Sequence, residues 1–309
     1  MKKFTRKQGD RYDGYRVKSK DPFFYIVPHI MPERVDSQVF YPDTVDITEI
    51  EKFVREHNQT DIPGLRTFHV FLAAAVRTAA EKPYINRFVV GRKMYHARNF
   101  VVSMTIKKLG TKEEAIIKLP FDYTDSIYDV AEKLSKAVRE NKVAEESNGT
   151  DKVAGILGHL PVGLLGFVVG CLKALDKKGW MPKAINKISP FHTSLFITNV
   201  GSIGIGPVFH HIYNFGTTSV FIAIGKKYYA NEIDDEGNAS RRHKMDIKFV
   251  VDERTCDGAY YSSIFRKFGF YIKNPDLLLK KGEKVVIDDG IDMKGRKEYE
   301  EEITSEINY

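Results

Sequence analysis

The sequence predicts an α/β chain, and three stretches carry that prediction. In the first, Met245, Ile247, Phe249 and Val251 fall on one side of an alternation and Lys248 and Val250 on the other, the period of a strand. A turn, Asp252-Glu253-Arg254-Thr255-Cys256-Asp257-Gly258, leads into a run with Tyr260, Ile264, Phe265, Phe268 and Ile272 near helical spacing. Asp257 is placed to cap that helix, and Pro275 follows its expected end. In the second, Thr67 to Lys82 reads as a helix that is apolar through most of Phe68 to Val76, the pattern of a helix buried under a sheet, and Pro83 ends it. In the third, Phe100 to Lys107 and Glu114 to Leu119 read as two strands joined by a turn at Gly110.

The remaining elements follow in order. Residues 1–22 read as a basic arm. Pro22 to Pro28 reads as a short strand or as aromatic packing against a neighbour, and Gln38 to Tyr41 as strand. Asp46 and Glu49 fit a capping box for a helix whose apolar face holds Ile47, Ile50, Phe53 and Val54. Asn86 to Tyr95 reads as a hairpin turning at Gly91, and Ser126 to Lys142 as an amphipathic helix. Residues 151–190 form an apolar insertion whose centre, Val162 to Leu172, carries no charge. A membrane span needs about twenty such residues, so the expectation is one or two buried or groove-covering helices. Its small residues suit either an apolar ligand chain or close helix packing. Ser194 to Asn199 and Ser219 to Gly225 read as strands, and Glu232 to Arg242 as a charged hairpin loop. Gly282 to Tyr309 reads as an acidic tail, flexible or strapped over a neighbouring subunit.

Composition narrows the function classes. A chain of 309 residues that is 42% hydrophobic can bury a proper core. Cys171 and Cys256 give neither a disulfide framework nor metal-ligand spacing, so no metal is expected and a reducing cytoplasm is the default. Net charge is +7; the segment from Gly282 onward holds nine acidic and four basic residues, net −5, which leaves +12 on the rest. A basic body suits an anionic partner. No nucleic-acid module signature is present, so nucleic acid is not expected.

Val251-Asp252-Glu253-Arg254-Thr255-Cys256-Asp257-Gly258-Ala259, with Asn274-Pro275-Asp276-Leu277-Leu278 downstream, resembles the closing signature of the acyltransferase cores of 2-oxo acid dehydrogenase complexes, a fold shared with chloramphenicol acetyltransferase. The family pattern is Asp-His-Arg, two apolar residues, then Asp-Gly-Ala, and its His takes the proton from the thiol of CoA or dihydrolipoamide. Here that position is Glu253. Phe196-Ile197-Thr198-Asn199-Val200-Gly201 resembles the family's Phe-Thr-Ile-Ser-Asn-Leu-Gly, whose hydroxyl donates to the oxyanion of the tetrahedral intermediate. The likeness covers roughly residues 35 to 280, interrupted by the insertion.

The resemblance implies a two-layer α/β sandwich with a mixed sheet, acyl-CoA as co-substrate and a homotrimer with sites between subunits, so that Glu253 would face a neighbour's Thr198. It implies catalytic roles for Glu253, Asp257 and Thr198. Asn199, Gly201, Gly258, His210 and His211 are the expected substrate contacts. Asp257 would sit in a structural ion pair, for which Arg16 is the candidate partner. Lipoyl and subunit-binding domains are not expected, so a freestanding protein with a core over 23–281 is.

The chemistry leaves three readings open at Glu253. A solvated Glu starts near pKa 4.3 against about 8.5 for a thiol, a poor match for thiol deprotonation. Burial against Tyr260 and Tyr261 would raise it and make it a base. Otherwise the fold is kept without activity and serves binding or assembly, or another histidine carries the proton: His210 or His211 first, then His192 or His243. The preferred function is transfer of an acyl group from a CoA thioester to an unidentified acceptor. The rivals are a silent scaffold and a basic membrane-surface protein resting on residues 153–172 and the basic arm.

Overall fold

The alternating stretches line up as one sheet. The computed structural model describes residues 2–107, 114–143, 155 and 158–300. Six strands follow the order β3 (Gln38–Asp46), β10 (Ala239–Asp252), β9 (Val220–Ile233), β8 (Leu195–Asn199), β6 (Phe100–Lys107) and β7 (Glu114–Phe121). β8 runs parallel to both neighbours and the other pairings are antiparallel, so the sheet is mixed.

Helices cover one face of this sheet. α2 (Thr48–Gln59), α3 (Thr67–Glu81), α4 (Ile127–Val143) and α7 (Gly258–Lys273) pack there against Val102, Met104, Ile197, Ile222, Ile247 and Phe249. α3 is the most deeply set, buried from His69 through Ala80, because it lies beneath the sheet with α4 and α7 alongside. The opposite face carries the other half of each alternation: Phe196, Phe221 and Val250 cluster with Ile212 from a loop. This is the expected two-layer arrangement.

Four local expectations are corrected. Pro22 to Pro28 is a helix, α1 (Phe23–Ile30), rather than a strand; Asp21 accepts the backbone N–H of Phe23 at 2.8 Å, and Pro22 already has helical angles. Asp46 accepts from Thr48 rather than Glu49, so α2 begins without the expected capping box. The basic arm is folded: β1 (Lys2–Phe4) and β2 (Gly14–Arg16) belong to sheets, and Tyr12, Tyr15 and Val17 are buried. β2 joins β5 (Lys93–Ala97) and β4 (Arg87–Val90) in a three-stranded sheet that includes the expected hairpin at Gly91. The expected turn at Gly110 lies outside the described residues.

The acidic tail is the fourth. Through Glu300 it straps its own chain: Gly282 N–H donates to Thr124 O, Val286 N–H to Ala80 O, and β11 (Glu298–Glu300) pairs with β1. Its anchor is Asp288, almost fully buried and gripped bidentately by Arg87 at 2.7 and 2.6 Å. Sequence periodicity missed this because the segment is held by partners distant in sequence: the buried pairs Asp288–Arg87 and Asp10–Arg296, and Ile291 in the apolar cluster with Tyr15 and Val17.

Two outcomes follow. Asp288→Ala leaves Arg87 as an uncompensated buried cation, so it should cost about 3–5 kcal/mol in urea unfolding and expose the strap to protease. Burial pushes the His69 imidazole down to about 4, so it is neutral in the folded state near pH 7. The unfolded chain takes up the proton below about pH 6.5, so this stability is present above 6.5 and is lost as pH falls towards 4. The stability advantage of wild type over His69→Gln should shrink by roughly 3 kcal/mol across that window.

Candidate active site

The turn after β10 is built around one buried carboxylate. Asp252 is fully buried and receives Arg254 Nε and Nη2, both at 2.8 Å, and the hydroxyl of Ser37 at 2.9 Å. Arg34 Nε stands 3.6 Å away, while its other nitrogens donate to the carbonyls of Tyr213, Val89 and Gly216. Burial lowers the Arg34 guanidinium to about 10, with Asp252 opposing that shift, and it keeps its charge at neutral pH. With Arg254 turned inward, its neighbour Glu253 turns out. Glu253 is exposed, and its backbone N–H donates to Ser37 O at 3.0 Å.

This corrects two expectations. Glu253 is not desolvated by Tyr260 and Tyr261 within the chain. Nor does Arg16 pair with Asp257: Arg16 donates to Met94 O and lies over the Tyr95 ring, while Asp257 accepts the Tyr260 N–H at 2.7 Å as the cap of α7. The ion pair of this site is Asp252 with Arg254 and Arg34. Arg34 was missed because it lies in a polar stretch far from the signature and nothing local marks it. Gly258 opens α7, with open space where a Cβ would stand. Cys256 is buried and its thiol is pushed up to about 12, which removes it as a nucleophile.

Glu253 lines a groove of about 650 Å³ between the edge strand β3 and α7, walled by Phe40, Tyr41, Phe265 and Phe270. Arg266 and Lys273, both exposed, stand on its rim.

Thr198 lies elsewhere. It is half-buried near the end of β8 and pairs with Ala223, which pairs with Lys248. Glu253 lies just past the end of β10, five residues on from Lys248 and two strands across from Thr198, about 17 Å along the strand direction and about 10 Å across it. One chain therefore does not bring Thr198 and Glu253 together. It does bring His210 and His211 to the Thr198 face. His210 stacks on Phe221 at 4.2 Å and on His211 at 4.5 Å, and Phe221 stacks on Phe196, two residues before Thr198. Burial, and then the neighbouring His210, hold His211 below the usual imidazole range. The other two histidines are engaged: His192 lies 3.4 Å from the buried Asp176, and His243 contacts Glu51. Among the described residues neither the Thr198 hydroxyl nor the Asn199 amide makes a hydrogen bond; the Asn199 carbonyl accepts from Ser202.

Gly201 holds the loop after β8 against β9. A Cβ there would sit 2.2 Å from the Gly225 carbonyl oxygen, and a Cβ on Gly225 would meet Pro207 at 2.3 Å. The role the geometry gives Gly201 is close backbone approach.

The architecture is that of the acyltransferase catalytic cores of 2-oxo acid dehydrogenase complexes. A probable dihydrolipoamide acetyltransferase from Listeria monocytogenes superposes with TM-score 0.54 at 14% identity, over 87% of this chain and 99% of that one. The cubic core of a pyruvate dehydrogenase multienzyme complex gives 0.54 at 13% identity, over 82% and 88%. The dihydrolipoamide acetyltransferase of Azotobacter vinelandii gives 0.54 at 14% identity, over 78% and 84%. No family model and no curated protein matches the sequence. The expected fold is thus observed.

Gly201→Ala should cost about 1–3 kcal/mol, read as a lowered urea midpoint, because its Cβ meets backbone that cannot step aside.

Proposed function

We propose that the chain transfers an acyl group from a CoA thioester to an acceptor, at a site completed by a second copy. The observation that carries this reading is Thr198: a hydroxyl at a strand end, beside a glycine-held loop, with no hydrogen-bond partner among the described residues. In the transfer the acceptor loses a proton and attacks the thioester carbonyl. The carbonyl oxygen becomes an oxyanion, the bond to sulfur breaks, and the CoA thiolate leaves to take up a proton. The Thr198 hydroxyl donates to that oxyanion, a contribution of roughly 3 kcal/mol.

The groove beside Glu253 suits the long arm of CoA. Its aromatic walls match an extended, largely uncharged chain, and Arg266 and Lys273 offer cations to phosphates at the rim. In the Azotobacter enzyme the residues probed for a catalytic role are a serine, a histidine and an asparagine, the last two four positions apart. Glu253 and Asp257 keep that spacing. On this reading Glu253 of one copy faces Thr198 of the next in a homotrimer, and accepts the acceptor's proton once the neighbour closes over it.

A second assignment of the base is supported by the stacked pair His210–His211. These lie on the Thr198 face within the same chain, and burial and the neighbouring His210 hold His211 below the usual imidazole range.

Release of thiol from acetyl-CoA in the presence of an amine, alcohol or thiol acceptor tests the reading. Thr198→Val should lower kcat by roughly 100-fold or more. Loss of activity in Glu253→Gln with retention in His210→Ala and His211→Ala assigns the base to the carboxylate, and the reverse pattern assigns it to the histidines. Background-level release by wild type with every acceptor class overturns the transferase reading, and a stable monomer in sedimentation removes the shared site.

A further inference from the structure

The apolar insertion forms α5 (Val162–Lys178) and α6 (Lys183–Ile188). The expectation of a buried helix is not met within the chain. From Val162 to Leu175 no residue of α5 is buried, and none belongs to any of the buried apolar clusters. Val162 is 86% exposed, Phe167 68% and Leu164 47%. These positions do not share a stripe: at 100° per residue, Leu164 and Phe167 lie far round the helix from Val162 and Val169. Gly163, Gly166 and Gly170 face open space, with nothing within 4 Å of an added Cβ.

Among the described residues the helix is anchored at its C-terminal end, and along its length one side, Leu165, Val168, Leu172 and Leu175, is half-buried. Asp176 in its last turn is buried between Arg11, at 2.7 Å, and His192. Burial would raise that carboxyl, and His192 and Arg11 outweigh it and hold it below the usual range. Gly91 meets the Lys177 carbonyl closely enough that a Cβ would stand 3.0 Å from it. Next to this root sit the exposed cations Lys173, Lys177 and Lys178, and Trp180, 66% exposed, with the Lys178 ammonium 5.0 Å from its ring centre.

We infer that α5 dips into the near leaflet of an anionic membrane, its Lys–Trp root lying at the headgroups. A helix apolar all round needs an apolar surrounding on every side. Another protein surface laid against it covers one stripe, whereas lipid covers the circumference. The uncharged run of eleven residues, Val162 to Leu172, rises about 16 Å, half of a hydrocarbon core about 30 Å thick. Among the described residues no helix is long and apolar enough to cross a membrane, which fits insertion into one leaflet. Lysines beside a tryptophan are the groups that settle at a lipid–water boundary, and the cations are complementary to acidic lipids. This inference stands apart from the transferase reading.

Trp180 is the chain's one tryptophan, so its fluorescence reports on the root. With vesicles of phosphatidylcholine and phosphatidylglycerol, the chain should float with the lipid and the Trp180 emission should shift to the blue. Phe167→Glu, at an exposed position, should keep the circular dichroism and thermal midpoint of wild type and lose roughly ten-fold or more in vesicle affinity. Joint substitution Lys173→Glu, Lys177→Glu and Lys178→Glu should weaken binding to anionic vesicles and leave the weaker binding to pure phosphatidylcholine unchanged. Absence of flotation and of the emission shift in wild type overturns the inference, as does equal binding by Phe167→Glu. So does a wild-type oligomer that ignores lipid and dissociates in Phe167→Glu, since a second copy would then cover α5.

Discussion

Asp252 is the constraint on which the rest of the site depends. A carboxylate with no solvent contact is costly unless its oxygens are saturated by charged donors. Here both guanidiniums and the Ser37 hydroxyl converge on it. Those donors come from separate parts of the chain, and their remaining hydrogens reach further: Arg254 to the carbonyls of Met31 and Pro32, Arg34 to those of Val89, Tyr213 and Gly216. One charge thus locks the end of α1, the hairpin of the small sheet, the loop before β9 and the turn before α7. Two cations against one anion leave an excess positive charge, and the five carbonyl oxygens point their negative ends at it. The outward aim of Glu253 follows, since its neighbours on both sides are committed inward.

That geometry puts Thr198 and Glu253, the two groups of the proposed reaction, on two separate surfaces of one chain. The sheet is covered by helices on one side and carries Phe196, Thr198 and Phe221 on the other. The turn holding Glu253 lies off the end of β10, beside the exposed edge of β3, where Val39, Phe40 and Tyr41 are uncovered. An apolar edge strand invites pairing or packing by another chain. A reaction using both Thr198 and Glu253 therefore needs two copies, whereas one using Thr198 and His210–His211 is confined to one. The choice of base and the state of assembly are a single question in this molecule.

Much of the framework was legible in the sequence because it depends on local periodicity. The alternation before Asp252, the cap at Asp257 and the turn at Gly91 each have a short-range cause, and each is where the spacing puts it. What was not legible depends on partners distant in sequence. Arg34 becomes part of the site only because the fold brings Asp252 to it. Asp288 pins the tail only because Arg87 waits in β4. Arg16 and Asp257 had suitable charges and unsuitable places. In the stretch before Pro28 the aromatic and β-branched residues favoured a strand, and the Asp21–Pro22 start decided for a helix.

The contrast between α3 and α5 shows the limit of reading burial from composition. Both are rich in apolar residues, and α3 is enclosed while no residue of α5 from Val162 to Leu175 is buried. α3 lies under the sheet between α4 and α7, both distant in sequence, so the core closes round it on every side. α5 belongs to an insertion between β7 and β8, which pack on opposite sides of β6, and the core is complete without it. A segment added to a finished core gains nothing from that core, so its apolar residues answer to something outside the chain. The buried Asp176 then makes sense as a root: it fixes where the helix leaves the body, and the residues beyond it remain available to surroundings of their own kind.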